Sequence, residues 1–348
     1  MSAVTELFGQ HSGWLASILS EADPRPGSLQ MADGTRVTLP ATGLIELQPP
    51  GDRHKPSHEA LILSAGIHGN ETAPIEILDR LLSELLEEQW SLACPALLVL
   101  GNPPAMRAGT RFIDTNLNRL FNGAHEKPEY CDLPEAKRAA LLEKQCRRFI
   151  ETTGTGATGL PVSHYDLHTA IRPSKREKFA LYPYLLDRQV PREQLMFLQE
   201  AEIDTLLLQH RRATTFSAFT AELGAQSFTL ELGKVMPFGK NDHSRFTTIT
   251  NALRRRLSGG TPPSEDKKPV ETFRVVHEII NTGEHFRLLV PDKAANFTRY
   301  ESGTLIWEDD RTGYRVGNQP EYIVFPNRDV PVGQRAGLML RLEPPASR

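Results

Sequence analysis

The chain of 348 residues carries 40 Lys and Arg against 43 Asp and Glu, for a net charge of −3, with 39% hydrophobic and 24% charged residues. That balance excludes a nucleic-acid binder working through a strong basic excess, and no apolar stretch reaches the roughly 18–20 residues of a membrane span. The length suits one large domain with a smaller one.

The N-terminal stretch MSAVTELFGQHSGWLASILSEADP has no Lys or Arg before Arg25 and no small-residue cleavage site after an apolar core, so no signal peptide is expected. Trp14, Leu15, Ile18 and Leu19 instead suit one face of a short helix. Apolar runs at 61–66, 96–102, 162–168, 179–186 and 227–233 read as strands, and 74–88, 135–151 and 241–257 read as helices. Strands separated by helices of that length indicate an α/β fold with a mostly parallel sheet and covered faces. Residues 258–269, SGGTPPSEDKKP, form a linker or long surface loop. Beyond it come short β-type runs without a long helical period. The expected organisation is a catalytic α/β domain over 1–257, the linker, and a small β-rich domain over 270–348. Cys94, Cys131 and Cys146 are odd in number and lack CxxC spacing, which speaks against a disulfide framework or a thiolate zinc site and for a reducing cytoplasm.

In an open α/β sheet, ligands sit outside the C-terminal ends of the strands. The first run ends in His68-Gly69-Asn70-Glu71, in a tight turn rich in small residues; the third ends in Tyr165-Asp166-Leu167-His168. His68, Glu71 and His168 would form a His₂Glu set, which leaves a zinc position open for water. HxxE alone is weak, since such pairs arise by chance, and the matching strand-end His168 is what strengthens it. The loop GNPPAMRAGTRFIDTNLNRLF brings Arg111, Asn118 and Arg119 close in sequence. Guanidinium forks bind carboxylates in a bidentate way, so an anionic substrate fits; the competing reading pairs these arginines with Asp114 on the surface. In SFTLELGK, Phe228, Leu230 and Leu232 alternate to one face and put Thr229 and Glu231 on the other. A carboxylate inside an apolar strand needs a partner, such as Lys234, or a job as general base and acid.

The blocks HGNE, GN–R–R–NLNRLF, YDLH and TLELGKVMPFG, in this order over roughly residues 60–240, resemble the succinylglutamate desuccinylase and aspartoacylase family of zinc carboxypeptidase-like enzymes. The resemblance implies a three-layer α/β/α domain with a mixed central sheet and a smaller β-rich C-terminal domain. It implies one Zn²⁺ per chain on His68, Glu71 and His168. Glu231 would be general base and acid, Arg111 would polarise the scissile carbonyl, and Asn118 with Arg119 would hold a substrate carboxylate. The implied reaction cleaves the amide of N-succinyl-L-glutamate, the last step of arginine catabolism by the succinyltransferase route. Because that substrate has three carboxylates, a further base is needed, and Arg172, in RPSKREK just after His168, is the candidate named here, with Lys175, Arg176 and Lys178 beside it. Two departures stand out. Many relatives have Asp where this chain has Asn116, and aspartoacylases place an arginine before the catalytic Glu where residues 219–230 have none. The alternatives are a related N-acyl amino acid deacylase, such as an aspartoacylase, or a non-catalytic zinc-binding relative. The expected partner is a small anionic substrate, with no nucleic acid and no membrane; a homo-oligomer stays open.

Overall fold

A computed structural model describes residues 3–20, 27–51, 58–154, 159–170, 172–260 and 268–344. Two short helices, α1 (Ala3–Phe8) and α2 (Trp14–Leu19), precede the antiparallel strands β1 (Gly27–Gln30), β2 (Arg36–Ala41) and β3 (Leu44–Gln48). Then β4 (Ala60–Ala65) leads into α3 (Thr72–Leu86), β5 (Ala96–Leu100) leads into α4 (Pro103–Ala108), and a long loop leads to α5 (Pro134–Gly154). The series β6 (Val162–Ala170), β7 (Phe179–Tyr182), α6 (Arg192–Glu200), β8 (Thr205–Leu208), α7 (Phe216–Glu222), β9 (Gln226–Lys234) and α8 (Thr247–Leu257) follows. The C-terminal part is all strand: β10 (Glu271–Ile280), β11 (Arg287–Leu288), β12 (Thr298–Tyr300), β13 (Leu305–Glu308), β14 (Gly313–Arg315), β15 (Glu321–Val324) and β16 (Arg335–Leu342).

Every residue of β4 and β5 is buried, which is why both read as continuous apolar runs rather than alternating ones. Helices cover both faces of the sheet. Trp14, Ile18, Ile75, Leu78, Phe197, Ile249 and Leu253 pack one side, from α2, α3, α6 and α8. Leu142, Phe149, Phe216 and Phe219 pack the other, from α5 and α7. Each such side chain, fully buried, contributes roughly 1.5–3 kcal/mol. The result is the three-layer α/β/α arrangement with a mixed sheet.

The sheet order is β1-β2-β3-β5-β4-β6-β9-β7-β8-β10-β16-β15-β12. Its centre, β5-β4-β6-β9, is parallel, while β3 on β5, β7 on β9 and the strands beyond β10 pair antiparallel. A mostly parallel sheet is therefore correct only for the middle. The N-terminal strands β1, β2 and β3, joined by short loops, form one antiparallel flank, and β16, returning from the far end of the chain to lie between β10 and β15, forms the other.

One feature was not visible in the sequence. β10 pairs with β8 in parallel, Glu271 opposite Thr205 through Arg274 opposite Leu208, so the C-terminal strands continue the central sheet. A second, three-stranded sheet of β11, β13 and β14 closes around its own core of Ile279, Val290, Ile306, Trp307 and Met339. Of the linker expected at 258–269, residues 261–267 lie outside the described residues. No helix among the described residues is long and apolar enough to cross a membrane.

Candidate active site

Three neighbouring parallel strands, β4, β6 and β9, end at the same side of the sheet, and each delivers part of the site. The turn after β4 is constrained by its small residues. Gly66 has φ +65°. At Gly69 a Cβ would fall 2.1 Å from the carbonyl carbon of Ala105, so only glycine lets the turn pass this closely over the start of α4. The turn places His68 and Glu71, both buried, at the head of α3. Glu71 occupies the position before the helix but does not cap it; its carboxylate turns toward the site.

The Glu71 Oε1 oxygen accepts from Arg111 at 2.6 Å and lies 2.9 Å from His68 Nδ1. Its Oε2 oxygen meets His168 Nδ1 at 2.9 Å and accepts the backbone N–H of Thr169 at 3.0 Å. The far nitrogens of both imidazoles are held from behind. His68 Nε2 faces Asn116 Oδ1 at 3.0 Å, and His168 Nε2 faces the Asp166 carboxylate at 2.9 Å. An acceptor behind Nε2 fixes the proton there and turns the Nδ1 lone pair inward. Asn116 thus does for His68 what an aspartate would, without the charge.

Asp166 is the residue that sequence reasoning missed. It is fully buried, and its second oxygen accepts from Ser64 Oγ at 2.6 Å. Ser64 in turn sits 2.8 Å from His164 Nε2, and His164 Nδ1 sits 2.6 Å from Thr220 Oγ1. Burial pushes the His164 imidazole down to about 4, so it is neutral at pH 7 and can donate through Nε2 to Ser64. This chain of hydrogen bonds keeps Asp166 an acceptor toward His168. Replacing Asp166 by Ala is expected to weaken metal binding about 10–100-fold, the usual effect of losing the group behind a ligand histidine. Competition with a chelator measures it, and unchanged affinity would remove Asp166 from the site.

Electrostatically the site is short of positive charge. Burial penalises charging His168, but Asp166 and then Glu71 outweigh it and raise the imidazole well above its ordinary value. Burial also opposes the Glu71 anion, yet His168 and His68 hold it well below the usual carboxylate range. For Glu231, burial and then the nearby Glu71 push the carboxyl up to about 7. Glu231 lies directly opposite His168 in the β6–β9 pairing. Its neighbours Phe228, Leu230 and Leu232 face the core, as the alternation required. It forms no ion pair with Lys234, and its Oε2 has no hydrogen-bond partner among the described residues. Two buried carboxylates, Glu71 and Asp166, and the partly buried Glu231 thus gather about the two imidazoles, with the partly exposed Arg111 against Glu71.

The donor atoms of His68, Glu71 and His168 lie within 4.8 Å of one another. His68 Nδ1, buried, finds no properly directed hydrogen bond despite its closeness to Glu71. Converging lone pairs, an orphaned imidazole nitrogen and an excess of buried negative charge all fit a divalent cation.

The remaining sequence candidates are placed as follows. Arg111 sits against Glu71, and the loop carrying it is pinned by Glu135, whose Oε1 accepts the N–H groups of Ile113 and Asp114. Asn118 is buried and its Oδ1 accepts the Phe216 N–H at 2.9 Å, which docks the loop on α7; Phe121 stacks on Phe216 at 4.6 Å to hold the same joint. Arg119 bonds the Asn118 carbonyl and has no acidic partner among the described residues. Arg172 makes its contacts elsewhere, with the Asp292 carbonyl at 3.4 Å and Asn327 Oδ1 at 3.3 Å, both in C-terminal loops. Arg176 and Lys178 pair with Glu271 and Glu202.

Residues 57–257 match the family model described as the succinylglutamate desuccinylase/aspartoacylase catalytic domain. The chain belongs to this family. Residues 268–343 match the AstE/AspA barrel-sandwich hybrid domain found with it. Among individual relatives, the chain is 41% identical over 314 residues to a protein of Shewanella pealeana named succinylglutamate desuccinylase, covering 89% of both chains. It is 42% identical over 304 residues to the protein of that name from Yersinia enterocolitica, covering 86% of this chain and 87% of the relative. Two crystal structures of family members carrying the same name are also similar. That from Vibrio parahaemolyticus has a TM-score of 0.87 and 31% identity, over 97% of this chain and 96% of its own. That from Chromobacterium violaceum has a TM-score of 0.81 and 38% identity, over 97% of this chain and 100% of its own.

Proposed function

We propose that the protein hydrolyses the amide bond of N-succinyl-L-glutamate to succinate and L-glutamate, with one zinc ion held by His68, Glu71 and His168. The observation that carries the reading is Glu231. It is a carboxylate opposite His168, with a free oxygen and with its pKa raised into the range where a group can both take and give a proton at neutral pH. A non-catalytic metal site has no use for such a group. The names of the relatives supply the substrate.

Bound zinc would supply Lewis-acid and water-activating chemistry. The protein's own groups do the rest. Glu231 takes a proton from the attacking water and passes it to the departing glutamate nitrogen. The N–H groups of Arg111 stabilise negative charge developing on the carbonyl oxygen, usually the largest single contribution to such a reaction. Asn116 and Asp166 keep both imidazoles oriented while charge moves. Arg119, bonded to the Asn118 carbonyl and without an acidic partner among the described residues, would turn its remaining N–H groups to a substrate carboxylate.

N-succinyl-L-glutamate should be cleaved with a kcat/KM up to ~10⁴-fold above that for N-acetyl-L-aspartate, because a polar site rejects a substrate that leaves its charged groups unpaired. Steady-state assays on both compounds decide this. Comparable values would overturn the substrate assignment and leave the amide hydrolase.

A further inference from the structure

Between the end of α4 and the helical turn Leu117–Arg119, residues 109–116 run past the site without regular secondary structure. This stretch carries two groups of the site: Arg111, 2.6 Å from Glu71 Oε1, and Asn116, 3.0 Å from His68 Nε2. Apolar packing does not fix it, because its two large apolar side chains, Phe112 and Ile113, are 38% and 47% exposed. Polar anchors to its backbone do. The Gly69 N–H donates to Arg111 O at 3.2 Å, and the Ile113 and Asp114 N–H groups donate to Glu135 Oε1 at 2.9 and 3.2 Å.

Glu135 is built for that task. It is buried in the first turn of α5 and gives one oxygen to both loop N–H groups, while its Oε2 has no hydrogen-bond partner among the described residues. The turn that carries it is itself fixed. Arg138 donates to Gly101 O at 2.7 Å, to Thr42 O at 2.8 Å and to Leu100 O at 2.9 Å, which ties α5 to the end of β5. Residues three apart share a helix face, so Arg138 anchors the same side of α5 from which Glu135 reaches the loop. Ala136 and Ala139 are buried in the core beside them. The clamp at Ile113 and Asp114 stands two residues after Arg111 and two before Asn116, so it limits the travel of both. Arg119 is fastened by a different joint, the Asn118–Phe216 bond.

We propose that Glu135 is a positioning residue: through the Ile113 and Asp114 N–H groups it sets the reach of Arg111 toward the substrate carbonyl and holds Asn116 behind His68. It acts through the loop and not by contact with the reacting atoms. The Arg111 part rests on the amide-hydrolase reading above; the Asn116 part requires metal binding alone.

The test compares the wild-type protein with Glu135→Leu, which removes the acceptor, and with Glu135→Gln, which keeps one. At saturating zinc, Glu135→Leu should lower kcat on N-succinyl-L-glutamate about 10–100-fold, the cost of misplacing a catalytic group by roughly 1 Å. KM should change less than about threefold, because Arg119 is fastened separately. Glu135→Gln should retain about a third or more of the wild-type kcat, since its amide oxygen can still accept both N–H groups. In an Arg111→Ala background the Leu substitution should cost less than about threefold, as a group already removed cannot be misplaced. Zinc affinity, read by competition with a chelator, should fall about tenfold in Glu135→Leu and less than about twofold further in an Asn116→Ala background. An unchanged kcat, an equal kcat loss in both Arg111 backgrounds, or an unchanged zinc affinity overturns the proposal. Circular dichroism checks that Glu135→Leu folds; if it does not, Glu135→Asp, one methylene shorter in reach, takes its place with the same expected pattern. If the wild-type protein does not cleave N-succinyl-L-glutamate, the hydrolase reading has failed, and the zinc-affinity comparison alone decides whether Glu135 positions the loop.

Discussion

Glu231→Gln should lower kcat by ~10²–10⁴-fold while leaving metal content and KM nearly unchanged, because the amide fills the same space but cannot carry a proton. Glu231 touches no ligand atom of the His68–Glu71–His168 group through a hydrogen bond, so the metal should stay. The substitution should also have an opposite effect on stability. In the metal-free protein the carboxyl is raised to about 7 by burial and by Glu71. A carboxyl whose folded pKa lies above its unfolded value makes folding less favourable once pH exceeds the unfolded value. The cost grows as pH rises through the folded pKa and is complete above it. The Gln variant escapes that cost, on the order of 3 kcal/mol at pH 8, with little difference near pH 4. Steady-state kinetics and denaturant melts of the metal-free proteins at the two pH values read both effects. A two- or threefold change in kcat would make Glu231 structural.

His168→Ala should abolish stoichiometric metal binding, since it removes one of three ligands and leaves Asp166 buried without its imidazole partner. A second signature distinguishes ligation from general damage. Against burial, Asp166 and then Glu71 raise the His168 pKa well above its ordinary value, so a proton competes more strongly with metal for this imidazole. Metal binding to the wild-type protein should therefore be accompanied by proton release. Calorimetry in buffers of different ionisation enthalpy counts it. Elemental analysis showing full occupancy in His168→Ala would remove this residue from the ligand set.

The grouping of His68, Glu71 and His168 was legible because strand ends are marked in the sequence by where an apolar run stops, and both HGNE and YDLH stand at such stops. Glu231 was legible because a charge inside an alternating strand conflicts with its surroundings. Asp166 could have been found in the same way: His164, Asp166 and His168 are spaced by two, so a strand presents all three to one face. Burial of β6 on both sides hid that pattern inside a generally apolar reading. The short elements α6, β8 and α7 were missed, since seven to nine residues or fewer give too few turns for a period to emerge. The parallel pairing of β10 with β8 could not be read at all. Which strand β10 joins is a matter of pairing between distant segments, and packing decides it.

That pairing also shapes how the chain must be made. β8 lies between β7 and β10, and it presents Thr205, Leu206 and Leu207 as a buried row. During synthesis these residues emerge well before 271–274, so the nascent chain exposes an apolar strand edge on one side of a sheet that is otherwise able to form. An unpaired edge of this kind invites pairing with another chain. The last strands of this protein therefore act as a seal, and the interval before they arrive is when a chaperone has something to protect.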